Sequence, residues 1–478
     1  MPVPLITGAL LAAACLLATA PGATAVRGER AHPISLHPEN PHYFLFRGKP
    51  TLLITSAEHY GAVLNADFQG TPYLKTLQAD GMNLTRVFSG AYVEPQGAFN
   101  IRNNTLAPAP GRFLSPWRRS TTPGYAGGGE KFDLTQWDDA YFKRLREFVR
   151  EAGKRGVVVE YVLFCPYYDD AAWSYSPLNA RNNINGGGEV ARTDALTLKD
   201  AKLLAVQEAF VRKAVAELRE FDNVYFEICN EPYFGGVTLE WQSRIAATIA
   251  DAEAEQPPAS RHLIAQNIAN GSAKIESPNP AISVFNFHYS NPPDSVGLNY
   301  ALDRVIGFDE TGFKGTADTP YRTDGWEFVL AGGGVYNHLD YSFTVEHPEG
   351  TAPVTDPTPG GGGPTLRRQL RILSEFMRGL PFTRMRPDNS VVRGGVPAGG
   401  TARVLAEPGK VYALYLRGGT GANLELDLPA GRYEAEWVNP LTGAVDQREE
   451  LRHAGGVARL VSPAYALDVA LRIVRRGE

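Results

Sequence analysis

Only three cysteines occur in 478 residues. Cys15 belongs to an apolar N-terminal run, which leaves Cys165 and Cys229 for the body of the chain. Two cysteines build no disulfide framework, and a protein of this size needs none. Both lie near the ends of apolar strands; a bridge and a pair of buried free thiols are both open, with the thiols favoured. Basic tracts are also missing, and the net charge is −5, so nucleic acid is not an expected partner. The nine histidines form no H-E-x-x-H or H-x-H pattern, so no metal centre is expected. No G-x-S-x-G elbow appears, which argues against a serine esterase. No Gly-rich phosphate loop follows the first strand, which argues against a doubly wound dinucleotide fold. No cofactor is implied.

Long apolar runs are scarce as well. LITGALLAAACLLATA (5–20) is too short and too broken by Gly and Thr for a membrane span. Ala23-Thr24-Ala25 follows as an A-x-A site. We read residues 1–25 as a secretory signal cut after Ala25, which places the mature chain outside the cell or in the periplasm without a membrane span. The basic residues that usually precede such a run are absent; the first charged side chain is Arg27.

What is present is a repeating pattern. Apolar, β-branched runs alternate with helical ones: PTLLITSA (50–57), MNLTRVFS (82–89), GVVVEYVLF (156–164), NVYFEICNE (223–231), HLIAQNI (262–268), ISVFNFHY (282–289) and RVIGFDE (304–310) read as strands. Helical patterns cover 71–80, 138–153, 201–221, 239–254 and 366–380. An eighth strand falls within 326–343, where GWEFVL suits a helix and VYNHLDYSF a strand. About eight βα units predict an α/β fold, a (β/α)8 barrel over 26–385. From 386 to 478 short alternating strands such as VYALYLR (411–417) and YEAEWVNP (433–440) predict a small β-sandwich. The hydrophobic share of 43% is ample for both cores.

In a barrel the chemistry gathers at the C-terminal ends of the strands. Two carboxylates stand there, Glu231 in FEICNEPYFGG (226–236) and Glu310 in GFDETGF. A carboxylate ending a strand this apolar is costly without work or a partner. Two such groups are the minimum for glycosidic cleavage: one donates a proton to the leaving oxygen, and the other attacks the sugar or activates water. Asp309, beside Glu310, and Glu227, on the strand parity of Glu231, compete for these places. Asn230 is suited to a sugar hydroxyl, and Pro232 ends the strand.

With these residues the chain resembles the clan A glycoside hydrolases, the cellulase-like retaining barrels, over roughly residues 32–382. The resemblance implies Glu231, after Asn230 on strand 4, as acid/base and Glu310 on strand 7 as nucleophile. It further points to Arg86 on strand 2 as support for the nucleophile, to His288 and Tyr289 on strand 6, and to His59 after strand 1. Asn337 and Asp340 on strand 8 and Trp173 in a loop complete the candidate sugar contacts. The segment 321–343 resembles the apiosidase-related grouping, and GRYEAEWVNPLTGAV (431–445) is similar to a domain called putative collagen-binding. The implied activity is secreted, retaining hydrolysis of a polysaccharide or oligosaccharide by two displacements. The implied partner is a carbohydrate; the rival reading is a non-catalytic carbohydrate-binding or matrix-binding protein. Long loops at 90–130, 165–195 and 345–365 are expected to wall the cleft into a pocket, which favours attack at chain ends.

Overall fold

The computed structural model describes residues 1, 2, 4 and 32–477. The apolar run 5–20, Cys15 and the cut site after Ala25 lie outside the described residues. No described helix is long and apolar enough to cross a membrane.

Eight parallel strands form one sheet: β1 (Leu53–Ala57), β2 (Leu84–Phe88), β3 (Val158–Phe164), β4 (Val224–Cys229), β5 (Ile264–Asn270), β6 (Val284–His288), β7 (Val305–Thr311) and β8 (Val335–Leu339). Neighbours in sequence are neighbours in the sheet from β2 to β8, and β8 pairs with β1. This is the order of a (β/α)8 barrel. Asn83 stitches the remaining seam between β1 and β2. Its Oδ1 accepts from Ile54 N at 2.9 Å and its Nδ2 donates to Leu52 O at 2.7 Å.

The barrel interior is layered by the two-residue period of its strands. Each strand gives one apolar residue near its start, such as Leu53, Leu84, Val158 and Val335. These pack with Ile34, Phe44 and Phe46 of a short N-terminal antiparallel sheet that closes this end. Two residues further along, the interior turns polar: Thr55, Arg86, Glu160, Glu227, Asn267, Asn286 and Asn337 are all buried. On β7 the equivalent residue is Gly307, where a Cβ would stand 2.2 Å from Asn286 Oδ1. The next layer carries the candidate chemistry.

A bulge in β7 shapes that layer. Phe287 lies opposite Phe308, but His288 lies opposite Glu310. One extra residue breaks the alternation, so Asp309 and Glu310 both reach the barrel interior. Cys165 and Cys229 are buried free thiols.

Helices pack outside the barrel, among them Asp139–Lys154, Ala201–Leu218, Leu239–Ala252 and Pro364–Arg378. Asp138 and Asp200 cap two of them with side-chain carboxylates, which satisfies otherwise orphaned first-turn N–H groups. The loop after β2 holds a hairpin, Trp117–Pro123 with Glu130–Trp137.

The ambiguous GWEFVL stretch is helical. It belongs to Asp318–Leu330, whose residues from Tyr321 to Leu330 are all buried. The helix shows no apolar stripe because both of its sides are covered, one by the barrel and one by the C-terminal sandwich. Trp326 stacks on Tyr415 of the sandwich at 5.3 Å between ring centroids. Arg322 makes a fork to Asp468 at 2.8 and 3.1 Å, and Tyr415 donates to the same carboxylate at 2.7 Å. The sandwich consists of a six-stranded and a three-stranded antiparallel sheet. They share a core that includes Leu414, Leu424, Leu426, Trp437 and Ile473.

Candidate active site

The C-terminal ends of the strands surround a pocket of about 410 Å³. Glu231 and Glu310 both line it, and so do Asn230, His59 and Tyr289. One oxygen of each glutamate and a ring nitrogen of His288 all lie within 4.8 Å of one another.

Glu310 is held from several sides. Tyr60 donates to its Oε2 at 2.8 Å and Tyr289 to its Oε1 at 2.7 Å. Arg86 Nη1 stands 3.5 Å from Oε2. Burial works against the carboxylate charge, but His288, Arg86 and the Tyr289 hydroxyl outweigh it and hold the pKa far below the usual range. Glu310 is therefore ionised at neutral pH, as a nucleophile requires.

Glu231 is held by other groups. Tyr168 donates to its Oε2 at 2.5 Å and Tyr233 to its Oε1 at 3.1 Å. His288 Nδ1 lies 3.1 Å from that Oε1 and 3.4 Å from Glu310 Oε1, while its Nε2 lies 3.4 Å from Asp309 Oδ1. Burial opposes a charge on His288, but Glu310, Asp309 and Glu231 overcome it and lift its pKa well above 6.5. His288, fully buried and biased toward its charged form, touches both glutamates through Nδ1.

Arg86 sits below this pair and is fully buried. It forks onto Glu227 at 2.6 and 3.0 Å and reaches Asn230 Oδ1 at 2.7 Å. Its guanidinium also lies 4.7 Å from the Tyr60 ring centre. Glu227 thus anchors Arg86 and does not line the pocket.

The wall opposite is built by the loop after β2. Glu58, fully buried, accepts from Gly61 N, Ala62 N and Thr105 Oγ1 and ties the first loop to the second. Gly61 permits this approach, since a Cβ there would meet the Thr105 backbone at 2.2 Å. The pinned loop delivers Glu94, whose Oε2 lies 3.5 Å from His59 Nε2. Both ring nitrogens of His59 are buried and lack a hydrogen-bond partner among the described residues, while the residue itself lines the pocket. Phe99, Phe234 and Phe313 line the pocket as well, each more than 40% exposed (42, 44 and 44%).

The pocket backbone is strained. Among the described residues nine non-glycine positions have positive φ, and Tyr60, Phe99, Glu231, Tyr289 and Phe313 of this pocket are five of them. Bulky side chains rarely adopt such angles, which cost on the order of 1–3 kcal/mol each and gather at functional sites.

Three solved structures match the chain over 93% of its length. A glycoside hydrolase family 5 protein from Bacteroides vulgatus is 14% identical, with 93% of that chain covered and a TM-score of 0.62. A candidate glycoside hydrolase from the same organism is 15% identical, with 83% covered and a TM-score of 0.65. A chain named glycoside hydrolase is 15% identical, with 97% covered and a TM-score of 0.63. At these identities the shared property is the fold. No protein-family model and no curated protein matches the chain.

Several residues read as sugar contacts occupy other places. His288 is fully buried and touches the carboxylates instead of lining the pocket, whereas Arg86, read as support for the nucleophile, stands 3.5 Å from Glu310. Asn337 is buried in the polar layer and donates to Asp309 O at 2.9 Å. Asp340 accepts from Ser56 Oγ, Gly363 N and Arg367 Nη1, so its oxygens serve the loop after β8. Trp173 packs on Tyr167 at 4.5 Å, donates to Val190 O at 3.1 Å and lines a separate cavity. Of the long loops, 90–130 gives Glu94, Phe99 and Leu106 to the pocket and 165–195 gives Cys165 and Tyr168, while 345–365 gives none of its lining. The sequence reading passed over Tyr60, Glu94, Tyr168 and Tyr233. Tyr60 and Tyr168 follow the tips of β1 and β3, a position that could have flagged them.

Proposed function

We propose that the chain is a secreted, retaining glycoside hydrolase of the clan A type. One observation carries the reading: glutamates from the tips of β4 and β7 converge, with carboxylate oxygens within 4.8 Å of each other, on the floor of one pocket. That approach suits direct attack by one carboxylate, for which separations of about 5–5.5 Å are typical, better than the wider gap that admits a water. The names of the structural neighbours agree with this reading. Export rests on the N-terminal segment alone, and the apiosidase-related placing on residues 321–343.

In the proposed reaction Glu310 attacks the anomeric carbon, and the bond from that carbon to the leaving oxygen breaks. Glu231, protonated, gives its proton to that oxygen. A glycosyl ester on Glu310 results. Glu231, now a carboxylate, takes a proton from water, whose oxygen attacks the anomeric carbon and releases Glu310. Two inversions give net retention. Tyr60 and Tyr289 hold Glu310 in line, and Arg86 and His288 keep it charged. The loops after β2 and β3 contribute walls to the pocket, which favours a chain end or a short oligosaccharide as substrate. His59 and Glu94 meet its hydroxyls, and the three phenylalanines at the mouth meet its apolar faces.

The test is sugar release from a broad glycan panel by the wild type beside Glu231→Gln and Glu310→Gln. On any cleaved substrate Glu231→Gln should cost about 10²–10⁴-fold in rate, and Glu310→Gln should be at least as damaging. Folded variants that match the wild type would remove both assignments. Binding of a glycan without any cleavage would favour the non-catalytic carbohydrate-binding alternative.

A further inference from the structure

A second concave site lies where the sandwich meets the end of the barrel. It is a groove of about 800 Å³, and its lining is dominated by cations: Arg384, Lys410, Arg432, Arg452, Arg475 and Arg476. Among the described residues Glu407 is the one carboxylate of the lining, and it is already engaged by Arg384 at 3.2 Å and Lys410 at 2.8 Å. The chain as a whole carries −5, so this positive groove stands against the sign of the molecule.

The strand register makes the arrangement specific. Arg432 lies directly opposite Arg452 on one neighbouring strand and directly opposite Arg476 on the other. Like charges so placed destabilise a sheet. Further along the same face the sheet behaves differently. Arg448 reaches Glu436 at 2.5 Å and Arg472 reaches it at 2.9 Å. Where arginines there serve the fold, an acid accompanies them. In the groove Arg384 and Lys410 share Glu407, and Arg476 has Glu434 at 2.9 Å; Arg432, Arg452 and Arg475 form no salt bridge among the described residues.

We propose that this groove binds an acidic polysaccharide, a chain of uronate units. Neighbouring strands lie about 4.8 Å apart, so the backbone positions of Arg452, Arg432 and Arg476 step at a spacing comparable to the advance of one pyranose in an extended chain, with the Arg476 fork on Glu434 and those of Arg452 and Arg432 without a salt bridge. Each planar fork matches a carboxylate through two N–H donors. Val411 and Val474 in the lining offer an apolar strip to the C–H faces of the sugar rings.

Binding is measured without turnover, so the test stands whether or not the pocket is a hydrolase. The full chain carrying Glu310→Gln is titrated with polygalacturonate and with a neutral glucan of equal length. Uronate binding that weakens as salt is raised, with at least tenfold weaker affinity in Arg432→Gln/Arg452→Gln, is the expected result. The double variant in an otherwise wild-type chain should keep its melting temperature, because the row of like charges is relieved, and should keep its rate on any small soluble substrate. Equal affinity for the neutral glucan, or no effect of the double variant, would overturn the proposal. A fall in melting temperature would assign the arginines to folding, and tighter binding of a single-stranded DNA of matched charge would overturn the uronate assignment.

Discussion

Asp309→Asn tests how the bulge in β7 divides labour between two adjacent acids. Asp309 is fully buried. Arg86 Nε stands 3.2 Å away and His288 Nε2 3.4 Å away, yet neither is aligned to donate a hydrogen bond to either oxygen. Burial is the largest influence on the carboxyl. With Glu227 and Glu310 it outweighs the two cations and lifts the pKa to about 7 from an ordinary 3.8. The folded state therefore keeps a proton that the unfolded chain releases. The stability this contributes is fully present below the unfolded value, near pH 4, and is lost as pH rises through about 7. The span from 3.8 to about 7 amounts to roughly 4 kcal/mol, at about 1.4 kcal/mol per tenfold. Asparagine cannot titrate. Unfolding free energies from denaturant titrations, taken from about pH 4 to about pH 8, should show the wild type losing roughly 4 kcal/mol relative to Asp309→Asn. Parallel curves for the two proteins would refute the burial argument. Activity gives the second readout. Asp309→Asn should stay within about tenfold of the wild type in kcat/KM, far above Glu310→Gln. Equal inactivation by both would reverse the assignment of the nucleophile.

Other perturbations follow from the same geometry. Tyr168→Phe removes the 2.5 Å hydrogen bond to Glu231; a bond to a neutral carboxyl is worth about 0.5–1.5 kcal/mol, so kcat/KM should fall about 2- to 10-fold, and an unchanged value would show that the bond plays no part in turnover. Trp326→Ala empties a fully buried site against Tyr415 and should destabilise the protein by about 3–5 kcal/mol in denaturant titration. Phe313→Gly relieves a φ of 54° that costs about 1–2 kcal/mol. The variant should be no less stable than the wild type while its KM rises, and a stability loss with KM unchanged would contradict a role at the pocket mouth.

The barrel was legible because buried parallel strands announce themselves as unbroken apolar runs. Strand order and the residues ending β4 and β7 followed from those runs. The eighth unit was blurred for a physical reason. Its helix is covered on both sides and lacks the apolar stripe by which helices are recognised in sequence, while β8 spans only Val335–Leu339. The acids of β7 exposed a limit of alternation: a period of two assigns one of Asp309 and Glu310 to the interior, whereas the bulge admits both. Asn337 and Asp340 sit on or beyond a strand that does end near the pocket, but Asn337 is buried with its Nδ2 on Asp309 O, and Asp340 is held by Arg367. Tyr60, Tyr168 and Tyr233 escaped notice because a tyrosine in sequence is as good a core residue as a proton donor. The basic groove was hidden most completely. Its arginines come from separate strands and meet only through register, so no window of the sequence contains a basic tract.

The helix Asp318–Leu330 bears on modularity. An appended domain can be lost or exchanged when the surface beneath it is finished for water. Here that surface is not finished. Removing the sandwich would bare Trp326 and strip Arg322 of Asp468, on the helix that links β7, with its Glu310, to β8. The C-terminal part is thus the missing outer layer of one barrel unit, and lineages that shuffle it would have to rewrite the helix first.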